Sequence, residues 1–325
     1  MGPALALSLF VVLAALLTPR SRSALLLALA RPRVAVLVSA MAPLGYGYGL
    51  WEQGSTVSPF VVTPTLAHLA VVWLLIHGGA MWLNAVLDRD VGAVLLGRSV
   101  EVPRGTAATG YGALALSIAG ALPLGAVATS CAASCAALAV LYSHPRVALK
   151  GHPLGGPLTN ALGYAVFPPI AGWSLSGAEC NWRALLTLGA LVLGILGLYF
   201  AAQAFQADED RQRGYRTLVV TRGPAFTLRA ARACFAVAML ELLFGAASGI
   251  YPRAFLLAAL PCAMIDGHFA RWAREPNGGD ARWAAALVGR AVVVLLVVLG
   301  AAYAHHFAAL AQGGPVAGRA TAIVP

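Results

Sequence analysis

Nine stretches of this chain are apolar for long enough to cross a lipid bilayer, and hardly a charge interrupts them. They fall at about residues 33–51, 59–87, 107–127, 129–143, 157–176, 184–206, 224–247, 252–270 and 284–307. A bilayer core is crossed by about 20 residues in helical form. A segment in lipid must satisfy its own backbone N–H and C=O groups, so each run predicts a helix. Composition points the same way. Charged residues make up 10% of the chain and hydrophobic ones 60%, whereas a water-facing domain carries about 25% charge. The expected fold is an all-α polytopic membrane protein, and a soluble globular fold is excluded.

The formal net charge is +10, with 22 Lys+Arg residues of which only Lys150 is lysine. In a soluble protein this balance would suggest nucleic acid. Here the arginines sit between apolar runs, where orientation in the membrane accounts for them, so no nucleic-acid partner is expected. One side receives Arg20, Arg22, Arg31 and Arg33, then Arg89, Arg98 and Arg104, then Arg146 and Lys150. The same side also receives Arg211, Arg213, Arg216 and Arg222, and then Arg271, Arg274 and Arg282. The other side receives Arg183, Arg253 and Arg319. Basic loops stay in the cytoplasm. The first core span is therefore expected to start inside and the C-terminus to lie outside, in a membrane of bacterial inner or cell-membrane type.

Residues 3–18 form a further apolar stretch that is followed, not preceded, by Arg20 and Arg22. That charge order predicts a retained helix, spanning or interfacial, rather than a cleaved signal peptide. The end of the chain after Gly313 is rich in Gly, Ala and Pro and predicts disorder. The organisation read from these features is an N-terminal segment at 1–24, one membrane domain at 25–310 and a tail at 311–325. None of the five cysteines forms a CxxC pair. They read as small packing residues rather than as disulfide or zinc ligands, and nothing signals an obligate protein partner.

Polar residues concentrate where two of the runs end. After the second run, Asn84 and Asp88 are four residues apart and share a helix face, with His77 on the same stripe. Asp90 follows, with Arg89 between the two acids. After the sixth run, Gln203, Gln206 and Asp210 share a face, and Asp208-Glu209-Asp210 are three consecutive acids. Such acids repel one another unless cations or arginines neutralise them. Both runs deliver their acids to the same membrane face, which suggests two halves around a shared site. Facing carboxylates are hard oxygen donors suited to Mg²⁺ that also binds phosphate.

At these residues the chain resembles the UbiA-type membrane prenyltransferase superfamily. Asn84-Ala-Val-Leu-Asp88-Arg-Asp90-Val-Gly92 is similar to the family's N-x-x-x-D-x-x-x-D motif. Gln206-Ala-Asp208-Glu209-Asp210, followed by Gly214-Tyr-Arg-Thr217-Leu218, resembles its D-x-x-x-D and G-x-x-T-L. Tyr142-Ser143-His144-Pro145-Arg146 through Lys150, and Gly155 through Tyr164, resemble its YS-x-P…K…G…N-A-x-G segment, and Arg31-Pro32-Arg33 also fits. The likeness runs from about residue 25 to 307. Gly92 and Gln206 stand where the family has aspartates, so each motif is one carboxylate short.

The resemblance implies about nine helices around a central cavity and transfer of an isoprenyl group from an allylic polyprenyl diphosphate to a small-molecule or lipid acceptor. It implies Asn84, Asp88 and Asp210 as catalytic residues. Asp88, Asp90, Gln206, Asp208 and Asp210 would hold Mg²⁺, and Arg89, Arg98, Arg146, Lys150 and Arg211 would contact the diphosphate. Trp82, Tyr142 and Tyr164 are candidates to face a carbocation, with core packing as the alternative for each; His77 reads as a packing residue. Two further readings use the same site: a terpene cyclase, or a non-catalytic relative that binds isoprenoid lipid. The acceptor is not readable from the residues.

Overall fold

The computed structural model describes residues 20–52, 64–87, 101–275 and 278–311. The expected helix at 3–18, the tail after Gly313, and Asp88, Arg89, Asp90, Gly92 and Arg98 lie outside them. The described residues are built from helices α1 (Arg20–Leu29), α2 (Pro32–Ser39), α3 (Met41–Glu52), α4 (Pro64–Leu87), α5 (Thr106–Ala121) and α6 (Ala126–Ser143). There follow α7 (Gly155–Asn160), α8 (Phe167–Ser176), α9 (Trp182–Gln203), α10 (Ala207–Gln212), α11 (Leu218–Arg222), α12 (Pro224–Ser248), α13 (Ala259–Trp272) and α14 (Ala281–Ala311). Among the described residues, eight segments are long and apolar enough to cross a membrane, and the chain is an integral membrane protein.

Those eight coincide with eight of the nine expected runs. The short run expected at 129–143 is a full crossing, Ala126–Ser143. The remaining expectation, 157–176, is helical but not uniform: α7 passes through a π-helical turn at Ala161–Val166 into α8. It therefore does not register as one long helix. At the other end, α1 and α2 are separated at Arg31, whose φ of 51° is left-handed. Pro32 follows, and a residue before proline is pushed out of the α region.

Two packed halves make up the bundle. Leu69, Val72 and Trp73 of α4, Leu114 of α5, Ala132 of α6 and Ala171 of α8 form one buried core. Ala201 of α9, Phe235 of α12, Phe269 and Trp272 of α13 and Leu287 of α14 form another. A smaller cluster joins them, with Leu37 and Met41 against Leu295. Lipid tails are as apolar as leucine, so membrane helices associate through close backbone approach. The closest approach is between α3 and α8, where a methyl group on Gly172 would land on the Ala42 carbonyl and one on Gly45 on the Pro169 carbonyl. All five cysteines are free thiols.

Candidate functional site

A chamber of about 250 Å³ opens between the two halves at the end where α4, α6 and α9 finish and α2 and α14 begin. Its inner wall is apolar, with Ile76, Leu138, Ile195 and Leu287 among its residues. Its rim carries Arg31, Asn84, Lys150, Gln206, Glu209, Asp210 and Arg213. Helix ends converge here because each crossing has its polar residues at the membrane boundary, where they cost least.

The acidic side is built by α10. Asp210 is buried, at 9% exposure. Its Oδ2 accepts a hydrogen bond from the Thr217 hydroxyl at 2.6 Å, and its backbone carbonyl accepts from Tyr215 N–H at 2.9 Å. Burial raises the Asp210 carboxyl above the usual carboxylate range, and Glu209 adds to this; Thr217, Arg213 and Lys150 pull the other way. Glu209 takes a 2.7 Å ion pair from Arg213.

The basic side is Lys150, on a short 3-10 turn at Leu149–Gly151. Arg216 N–H donates to the Gly151 carbonyl at 2.8 Å, which ties this turn to the segment after α10. Lys150 Nζ lies 5.7 Å from the centre of the Tyr215 ring. Burial pushes the Lys150 amine down to about 7, helped by repulsion from Arg213 and opposed by Asp210 and Glu209.

A third group of polar side chains stands on the walls contributed by α4, α6 and α9. Asn84 Oδ1 accepts from the Ser143 hydroxyl at 2.9 Å. Gln203 donates to the Tyr199 hydroxyl at 2.9 Å, and Tyr142 lies against Asn160 and Tyr199. His77 also lines the chamber, with its Nε2 3.0 Å from the Ala30 carbonyl.

The expected site residues separate accordingly. Asn84, Lys150, Gln206 and Asp210 line the chamber, as do Gln203, Tyr142 and Tyr164. Asp208 does not: on α10 it is two residues from Asp210, hence on the opposite face, and it is exposed and paired with Arg211 at 2.6 Å. Arg211 shares that outer face, and Arg146 is exposed on the loop after α6. Trp82 is absent from the wall and donates instead to the Leu26 carbonyl at 2.8 Å. Sequence reasoning passed over Tyr199, although it stands four residues before Gln203 in an apolar helix and so shares its face. Tyr215 and the buried Thr217 stand in the Gly214-Tyr-Arg-Thr217-Leu218 stretch that the resemblance covers, but helical spacing gives no such signal for them, because loop closure brings them in.

Among the described residues, no group of three His, Cys, Asp or Glu side chains is placed to hold a metal ion. Asp210, Glu209 and the Gln206 carbonyl are hard oxygen donors on one wall and fit part of a Mg²⁺ shell. The sequence model of the UbiA prenyltransferase family matches residues 40–289. This chain belongs to that family. Solved structures agree in fold. A UbiA homologue from Archaeoglobus fulgidus bound to GPP and Mg²⁺ matches with a TM-score of 0.60 at 18% identity, over 88% of this chain and 99% of that one. The same homologue bound to DMAPP and Mg²⁺ gives 0.59 at 17% identity, over 88% and 99%. A structure concerned with digeranylgeranylglyceryl phosphate synthase in membranes gives 0.58 at 16% identity, over 89% and 99%. No curated protein matches this family member in sequence.

Proposed function

We propose that this UbiA-family protein transfers an isoprenyl group from an allylic diphosphate to an acceptor, dependent on Mg²⁺, from a chamber facing the cytoplasm. One observation carries the reading: a buried carboxylate and a buried amine stand at the mouth of a chamber whose interior is otherwise largely apolar. Asp210, Glu209 and Gln206 would hold the metal on one wall, with Asp88 and Asp90 completing the set as the sequence motif implies. When bound, Mg²⁺ would supply positive charge to the diphosphate oxygens. Lys150, Arg213 and Arg31 would share the negative charge that develops as the allylic carbon–oxygen bond breaks. The apolar interior excludes water from the cation left behind, and the Tyr142 and Tyr164 rings on its wall offer π faces to it. Asn84, held by Ser143, would orient the ligand from the opposite side.

The test is Mg²⁺-dependent pyrophosphate release by the protein in lipid nanodiscs from geranyl diphosphate and longer allylic diphosphates, with Asp210→Ala and Asp88→Ala beside it. Release that requires Mg²⁺ and disappears in both variants supports the reading. Silence while the same diphosphates still bind would replace it with a non-catalytic isoprenoid-binding role.

A further inference from the structure

A second cavity, of about 260 Å³, continues from the chamber away from its acidic end. The two share Leu37, Ile195 and Leu198 on their walls, so they adjoin along these side chains. Its walls are almost wholly apolar, contributed by α3, α9, α12, α13 and α14. On α9 the wall runs from Leu198 to Thr187, and along the successive helices α2 and α3, which form one crossing, from Leu37 to Tyr48. Each stretch covers about 16 Å at the helical rise.

The far end is aromatic. Tyr48 stacks on Trp51 with centroids 5.5 Å apart, packs against Trp173 at 5.4 Å and meets Tyr251 edge-on at 5.7 Å. These rings are anchored: the Thr187 and Tyr251 hydroxyls lie 3.2 Å apart, and Tyr251 donates to Glu241 of α12 at 3.1 Å. An extended isoprene unit advances four carbon–carbon bonds of about 1.5 Å, or about 5 Å in all. The apolar length below Leu198 therefore matches about three units.

Resting on the donor reading above, we infer that the second cavity takes the distal part of the donor's isoprenyl chain. The aromatic floor at Tyr48 and Tyr251 limits that chain to about four units, one in the chamber and three below it. A chain longer than this meets the rings before its diphosphate reaches Lys150 and Asp210.

Gly194 gives a test in the opposite sense. It lies on the cavity wall between Leu198 and Thr187, and a Cβ there meets no atom within 4 Å. Gly194→Leu therefore starts from an unobstructed Cβ and places its side chain in the cavity, whereas Tyr48→Ala opens its floor. The experiment measures pyrophosphate release and, separately, equilibrium binding of C10, C15, C20 and C30 allylic diphosphates by the full chain in nanodiscs. In the unmodified protein, C30 should be at least ~10-fold poorer than C20 in kcat/KM and in affinity. Gly194→Leu should lower the C20-to-C10 ratio by a similar factor, and Tyr48→Ala should raise the C30-to-C20 ratio. A length profile that is flat, or that neither variant moves, overturns the inference. Absent release with length-dependent binding that follows Gly194→Leu would sink prenyl transfer and leave the cavity assignment standing.

Discussion

The Thr217 hydroxyl donates to Asp210 Oδ2 at 2.6 Å across the loop between α10 and α11, and both residues are buried. This bond opposes the upward push that burial gives the Asp210 carboxyl and favours its ionised form. Thr217→Val keeps the shape and removes the donor, and an unsatisfied buried acceptor of this kind costs about 1–3 kcal/mol. The acid limb of the kcat/KM profile should move to higher pH, and the Mg²⁺ concentration for half-maximal release should rise roughly 10-fold. A pH series and a Mg²⁺ titration of pyrophosphate release measure both.

Lys150 gives a second pH effect of opposite direction. With its amine pushed down to about 7, the free enzyme loses this cation as pH rises through neutrality. Capture of a diphosphate, read as kcat/KM, should fall across pH 7 to 9. Lys150→Arg keeps its charge and should abolish that fall. Stability runs the other way. The unfolded chain binds this proton up to the usual lysine range, so the contribution of Lys150 to stability rises with pH from about 7 upward. Thermal unfolding in detergent across the same pH range checks the sign.

Close approach between α3 and α8 predicts a strict requirement at Gly172. A methyl group there would overlap the Ala42 carbonyl, a backbone atom that cannot rotate away. Gly172→Ala should cost about 1–3 kcal/mol, seen as a lower unfolding temperature. Gly112→Ala, where a Cβ meets nothing within 4 Å, should be neutral or slightly stabilising.

Arg232 of α12 and Asp266 of α13 form a two-pronged ion pair at 2.7 and 3.0 Å within membrane-spanning helices. Both side chains are nearly half exposed on the protein surface, so breaking the pair leaves a lone charge on the outer face of a membrane-spanning helix, whereas removing both charges does not. Arg232→Leu and Asp266→Leu should each lower the unfolding temperature by several degrees, about 1–3 kcal/mol if the cost follows that of a lone charge in a helix placed in lipid. The double variant should recover most of the loss, which a double-mutant cycle measures directly.

Much of this architecture is legible from residue chemistry alone, for a physical reason. A spanning helix must be apolar along its whole length, so Pro64–Leu87 and Trp182–Gln203 stand out in the sequence. The break in the fifth crossing does not, because a π turn changes hydrogen bonding without changing hydropathy. Within the site, helical spacing was enough to place Asn84 and Asp210 on chamber-facing stripes. The same spacing that puts Gln206 and Asp210 on one face puts Asp208 on the other, whereas the motif resemblance groups all three as metal ligands. Tyr215 and Thr217 reach the chamber through tertiary closure onto Gly151 and Asp210, a relationship that no local spacing encodes.

The π turn at Ala161–Val166 amounts to one extra residue wound into a helix. Each residue turns an α-helix by about 100°, so the turn sets the helix after it out of phase with the helix before it. Asn160 and Tyr164 can thus look into the chamber while Pro169 and Gly172, further along, meet α3. The Gly163 carbonyl in this turn accepts from the Cys135 thiol at 3.6 Å. Losing a single residue here would rewind the segment and swing Gly172 away from Ala42. The damage of such a deletion would appear not at the chamber but at the seam between α3 and α8, about midway along the α2–α3 crossing.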